Sequence, residues 1–119
     1  MTRTRTVNEP FVVCLCGSTR FYDEFQEANF RETMYGKIVL SVGCYPHSKD
    51  KTHKQGLTEK QKEDLDELHL RKIDLADEIL VLDVGGYIGE STGREIEYAI
   101  KAGKKVRWLS RESGKNTNG

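Results

Sequence analysis

Hydrophobic residues in this chain fall into short solid runs, separated by longer stretches in which they recur every three or four positions. Phe11-Val12-Val13-Cys14-Leu15-Cys16 is continuously apolar and rich in β-branched residues, which predicts a strand buried on both faces. Downstream, Phe21, Phe25, Ala28 and Tyr35 recur at roughly helical spacing, so a first helix is expected to begin at or just after Ser18 and to stop at Gly36. Ile38-Val39-Leu40-Ser41-Val42 reads as the second strand, followed by a long polar loop over 43–57. Thr58, with Gln61 three residues later, reads as a capping box opening a second helix. Its apolar stripe runs through Leu65, Leu68, the stem of Lys72, Ile73 and Ala76. Glu78-Ile79-Leu80-Val81-Leu82 is the third strand, ending at Asp83. A glycine-rich loop over 85–90 leads to a third helix from about Thr92 to Ala102, with Ile96, Ala99 and Ile100 facing inward and Gly103 stopping it. Val106-Arg107-Trp108-Leu109 is the fourth strand.

Strands separated by helices of this length argue for right-handed βαβ crossovers and a parallel sheet. The expected fold is α/β, a Rossmann-like or flavodoxin-like three-layer sandwich with a four- to five-stranded parallel sheet. The expected organisation is a mobile polar segment over 1–9, a single α/β domain over 10–109 and a mobile tail over 110–119, which offers almost nothing to bury. Ligands of such sheets bind beyond the carboxyl ends of the strands. The loops over 17–20, 43–57 and 83–94 all follow strands, so all three open onto one edge.

Composition narrows the partners. Lysine plus arginine and aspartate plus glutamate both total 19, so no net field argues for polymeric nucleic acid or an anionic membrane. No apolar run approaches the roughly 18–20 residues of a membrane span, and the N-terminus lacks the apolar stretch of a signal peptide, so a cytoplasmic location is expected. Three cysteines do not make a disulfide framework. Cys14 and Cys16 lie two apart on one face of a strand and read as reduced core residues. With Cys44 and a histidine they match no zinc spacing, so neither a metal nor a cofactor is expected.

The chemistry concentrates at two junctions. At Gly17-Ser18-Thr19-Arg20 an apolar strand ends in a glycine, two hydroxyls and a guanidinium, ahead of a helix. Backbone amides and the helix dipole favour an anion there, and Arg20 adds a fork suited to phosphate. The plainer reading has Gly17 turning the chain and Ser18 capping the helix. At Ser91-Thr92-Gly93 a second helix start offers hydroxyls and amides to another anion or a sugar oxygen, and Glu95 would project near the same pocket as nucleophile or general acid/base. Thr92 and Glu95 also have capping-box spacing, and on spacing alone the cap is the stronger reading.

These residues resemble the nucleoside deoxyribosyltransferase-like N-glycosidases, including the 2′-deoxynucleoside 5′-phosphate N-hydrolases. The resemblance spans roughly residues 11–109. It rests on Cys16-Gly17-Ser18-Thr19-Arg20 as a phosphate-side loop, Ile73 to Asp77 leading into the central strand, and Ser91 to Ala99 as the stretch of hydroxyls and glycine preceding a glutamate. The match implies that Glu95 is the catalytic glutamate. It also implies that Gly17, Ser18, Thr19, Arg20, Ser91, Thr92 and Gly93 hold a 5′-phosphate, and that the protein is a homodimer or higher homo-oligomer. One position departs from the pattern: where the family usually carries a sugar-contacting aspartate, this chain has His69, with Asp66 one turn earlier as a substitute.

Tyr45 and Tyr87 are candidates to stack on a base, and His47 or His53 to hydrogen-bond its edge; Lys49, Lys51, His53 and Lys54 form a local basic run. The expected function is an N-glycosidase that hydrolyses or transfers the base of a nucleoside 5′-monophosphate. The alternatives are a non-catalytic nucleotide-binding module, favoured by the His69 departure, and a riboside-monophosphate phosphoribohydrolase, whose glycine-rich loop Gly85 to Glu95 matches only loosely.

Overall fold

The computed structural model of the chain describes residues 9–45 and 57–116. Four strands, β1 (Val12–Cys16), β2 (Ile38–Leu40), β3 (Glu78–Val81) and β4 (Lys105–Trp108), alternate with helices α1 (Tyr22–Met34), α2 (Glu59–Leu75), α3 (Glu90–Lys101) and α4 (Leu109–Asn116). The strands pair in the order β2-β1-β3-β4, and every pairing is parallel. Chain order therefore reverses between β1 and β3, and the crevice beyond their carboxyl ends is where such sheets bind ligands. Among the described residues no helix is long and apolar enough to cross a membrane.

Strand alternation splits the core into two layers. Val12, Cys14, Cys16, Ile79 and Val81 face α2 and α3, where they meet Ile73, Ala76 and Ala99. Val13, Leu15, Leu80 and Leu82 face the other way, onto Phe25 and Ala28 of α1 and Leu109 of α4. Every residue of β1 and β3 is buried, as expected for central strands covered by helices on both sides.

Local chemistry sets most of the helix boundaries. Thr58 and Gln61 form the expected capping box: Gln61 N–H donates to Thr58 Oγ1 at 3.1 Å, and Thr58 N–H donates to Gln61 Oε1 at 3.0 Å. Gly36 and Gly103 follow α1 and α3 with φ of 85° and 77°, the left-handed conformation that closes a helix without a Cβ penalty. Three expectations need correction. First, α1 begins at Tyr22, because residues 18–21 are spent on a turn in which Phe21 N–H donates to Ser18 O; Ser18 does not cap the helix. Second, Ile100 is 60 % exposed, because the inward stripe of α3 runs through Thr92, Glu95 and Ala99. Third, the chain beyond β4 is not a bare tail. Leu109 starts α4, and Asp83 at the end of β3 accepts from Ser110 N–H (2.9 Å) and Ser110 Oγ (2.7 Å), holding the new helix against the sheet. The segments 1–8 and 117–119 lie outside the described residues.

On the α1 face, Glu32 has no exposed surface and Glu78 only 2 %. Arg107 of β4 answers both. It donates through Nη1 and Nη2 to Glu32 (2.7 and 3.0 Å), through Nη1 to Glu78 (3.0 Å), and through Nε and Nη2 to Glu112 of α4 (both 2.8 Å). Lys37 completes the cluster, donating to Glu32 at 2.9 Å and Glu78 at 3.1 Å. Burial alone would raise the Glu32 pKa, but the Arg107 and Lys37 partners outweigh it and hold the carboxyl below its usual range. The stability that Glu32 contributes is therefore present above the ordinary glutamate range and is lost as acid protonates it below that range.

Removing Arg107 strands buried carboxylates drawn from two different elements. Arg107→Gln is expected to lower unfolding stability at neutral pH by about 3–5 kcal/mol in urea titration. Lys60→Gln, which breaks the exposed pair Lys60–Asp64, should stay within about 0.5 kcal/mol. A loss below about 1 kcal/mol for Arg107→Gln would show that the cluster is not holding the layers together.

Candidate active site

A cleft of about 480 Å³ opens beyond the carboxyl ends of β1 and β3, within the size range of small-molecule sites. The turn after β1, the segment Val42 to Cys44 after β2, one face of α2 with Leu57 before it, and the start of α3 with Tyr87 before it build the cleft. Gly17 is set by contact rather than by backbone angle. A Cβ there would sit 3.1 Å from Leu82 Cβ and 3.3 Å from Leu82 O, a tight fit that favours glycine where the chain leaves β1 beside β3. Ser18 then accepts from Arg20 N–H (3.3 Å) and Arg20 Nε (3.1 Å), which fixes the guanidinium at the cleft rim, 4.4 Å over the Tyr87 ring. Gly17, Ser18, Thr19 and Arg20 all line the cleft.

The α3 side presents a helix N-terminus. Its cap residue is Gly89, and among the described residues no side chain caps it. The amides of Glu90, Ser91 and Thr92 occupy the first three helical positions, which have no intrahelical partner, and all three residues border the cleft. Gly93 does not belong with them: its N–H donates to Gly89 O at 2.9 Å, so it is the first amide spent within the helix, and it does not line the cleft. Because the helix starts at Glu90 rather than Thr92, the capping-box reading of Thr92 and Glu95 also falls. Glu95 lies a full turn inside the helix, and its side chain points into the cleft floor.

That floor is the unusual part of the molecule. Glu95 Oε1 lies 3.9 Å from His69 Nε2, with both side chains almost fully buried. His69 in turn lies 3.5 Å from the Sγ atoms of both Cys14 and Cys16, which lie beneath it with no exposed surface. Burial raises the Glu95 pKa to about 7; the His69 charge opposes the shift, while Cys14 and Asp66 reinforce it. Burial would lower His69, but the Cys14 hydrogen bond and charge, with Glu95, lift it above its usual value. The Cys16 hydrogen bond lowers Cys14 to about 6 against the effect of burial, helped by His69, while Cys16 is pushed well above its usual value, first by Cys14 and then by burial. A carboxyl balanced between its two forms near neutral pH is suited to proton transfer or to nucleophilic attack.

His69, absent from the expected apolar stripe, stands with Ile73 on the buried face of α2. Leu65 and Leu68 stand at the cleft, 36 % and 51 % exposed. Asp66 lines the cleft, within 3.8 Å of Lys62 and 3.6 Å of Arg94. Tyr45 is not a cleft residue. It packs edge-on against Tyr22 and Phe25 on the α1 side and accepts from Gln26 Nε2 at 3.5 Å. Tyr87 does line the cleft, but Arg20 covers one of its faces and Phe21 meets its edge. His47, Lys49, Lys51, His53 and Lys54 lie outside the described residues, between the cleft-lining Cys44 and Leu57.

Two cleft residues were missed. Lys62 reaches within 3.5 Å of Ser91 Oγ, beside the α3 amides, and Lys72 donates to Ser41 O at 2.6 Å. Lys62 was discoverable in the sequence, because 62, 66, 69 and 73 form one helical row with His69.

Because Glu95 is held above its unfolded pKa, the stability it contributes is complete below the ordinary glutamate range and is lost as pH rises through about 7. In metal-free buffer, Glu95→Gln should gain roughly 1–3 kcal/mol relative to wild type between about pH 5 and about pH 8. Denaturant melts at the two pH values check this, and an unchanged difference would mean that Glu95 titrates as an exposed glutamate does. No family model, curated protein or solved structure matches this chain, so the geometry of the cleft carries the functional argument.

Proposed function

We propose that the protein is an N-glycosidase that cleaves the bond between base and sugar in a nucleoside 5′-monophosphate, with Glu95 as the catalytic carboxylate. The reading rests on one observation. A buried glutamate, with no lysine or arginine paired to it among the described residues, stands in the cleft floor, with phosphate-suited groups on the walls around it. Arg20, Lys62 and the first-turn amides of α3 supply cations and N–H donors for a phosphate. With the phosphate held there, the sugar extends toward the floor.

In the reaction so assigned, the Glu95 carboxylate attacks the anomeric carbon as the carbon–nitrogen bond breaks. The bonding pair leaves with the base, which takes a proton, and the protonated His69 beside Glu95 is the nearest donor. Water then attacks the glycosyl ester: its hydroxyl bonds the anomeric carbon as the Glu95 carboxylate leaves, and its proton returns to His69, yielding the free sugar phosphate and regenerating both groups. The pKa of Glu95 near 7 leaves a substantial ionised fraction at neutral pH for the attack, and the charged imidazolium favours that fraction.

The test is mass-spectrometric detection of free base after incubation with each ribo- and deoxyribonucleoside 5′-monophosphate. Glu95→Gln is expected to lower release by about 10²–10⁴-fold or more while nucleotide binding, followed by calorimetry, survives. No release from any member of the panel, with binding intact, would leave a nucleotide-binding module in place of the enzyme. Arg20→Gln should weaken nucleoside monophosphates by roughly 10–100-fold and leave the corresponding nucleosides unchanged. Equal losses for both would remove the phosphate from the Arg20 side of the cleft.

A further inference from the structure

We propose that Cys14, Cys16 and His69 form a binding site for a soft divalent metal ion of the zinc class beneath the cleft, with its remaining coordination position directed toward Glu95. The three donor atoms lie within 4.8 Å of one another, and His69 Nε2 is 3.5 Å from each sulfur. Zinc bonds of about 2.3 Å to sulfur and about 2.0–2.1 Å to nitrogen, at the tetrahedral angle, require a sulfur–nitrogen separation of about 3.6 Å. Both sulfur–nitrogen separations thus stand at ligating spacing.

The fold explains how the set arises. Residues two apart on a strand project to one face, so β1 delivers both sulfurs together, and α2 lays His69 across them. Both cysteines have no exposed surface, while His69 and Glu95 border the cleft. Three protein ligands below and a position facing the cleft match the pattern of zinc sites that keep one position open, and two thiolates would balance a divalent charge. Sulfur donors select zinc-class ions over magnesium or calcium. On that cleft side Glu95 Oε1 stands 3.9 Å from His69 Nε2.

The site does not depend on the nucleotide reading, and the two make opposite demands on His69. A metal that takes Nε2 removes the proton donor assigned above, so loading would inhibit base release.

The experiment is optical titration of chelator-stripped full-length protein with Co(II), followed by displacement with Zn(II). One Co(II) per chain is expected, with a thiolate-to-cobalt charge-transfer band that Zn(II) abolishes. Cys16→Ser and His69→Gln should each weaken binding by about 100-fold or more, beyond the roughly 10–100-fold typical of outer-shell partners. Cys44→Ser and the double substitution His47→Gln, His53→Gln should leave the band unchanged. Absence of the band in wild type, or its survival in both Cys16→Ser and His69→Gln, would overturn the site. If Cys16→Ser does not fold, the wild-type and His69→Gln titrations still decide.

Discussion

A carboxylate taken out of water must be met by a cation or give up its charge, and the two faces of this sheet show both outcomes. On the α1 face Glu32 is met by Arg107 and Lys37 and held below its usual pKa. On the other face Glu95 lies 3.9 Å from His69, and burial carries it to about 7. The architecture depends on the first arrangement, because Arg107 joins α1, β3, β4 and α4 through one guanidinium. The second stands at a cleft floor, where a carboxyl poised near neutral pH is suited to proton transfer.

β1 is the hinge between these two uses. Its odd positions, Val13 and Leu15, fill an ordinary apolar layer against α1, while its even positions bring Cys14 and Cys16 under His69. The same strand leads into Gly17, where Leu82 leaves little room for a side chain, and then releases Arg20 to the rim. The Arg20 rim and the cysteines of the cleft floor therefore share a single strand–turn unit. That unit lies at the β1/β3 reversal, the one place along the sheet edge where neighbouring crossovers diverge and leave a crevice.

Much of this was legible in the residue order. Solid apolar runs marked the central strands, Thr58 with Gln61 marked the start of α2, and Gly36 and Gly103 marked helix ends, because each is a local preference that no distant contact overrides. The cleft loops were legible for the same reason: a strand followed by glycine and hydroxyls before a helix has few alternatives in a parallel sheet. Local spacing misled where two local readings competed. Thr92 and Glu95 have capping-box spacing, but Gly89 starts the helix three residues earlier and turns Glu95 inward. Tyr45 read as a stacking residue, yet edge contacts with Tyr22 and Phe25 draw it to the opposite layer.

By itself, the sequence determined the alternation of strands and helices, the parallel sheet and the edge on which the chemistry gathers, since periodicity and capping act within a few residues. Only the tertiary structure decided that His69 meets Cys14 and Cys16, that Glu95 is buried beside it, and that Ser110 and Glu112 tie a further helix to Asp83 and Arg107. Those pairings join positions up to 55 residues apart. They arise because crossovers carry α2 and α3 onto one face of β1, and no pattern within a single segment records which side chains will then share a space.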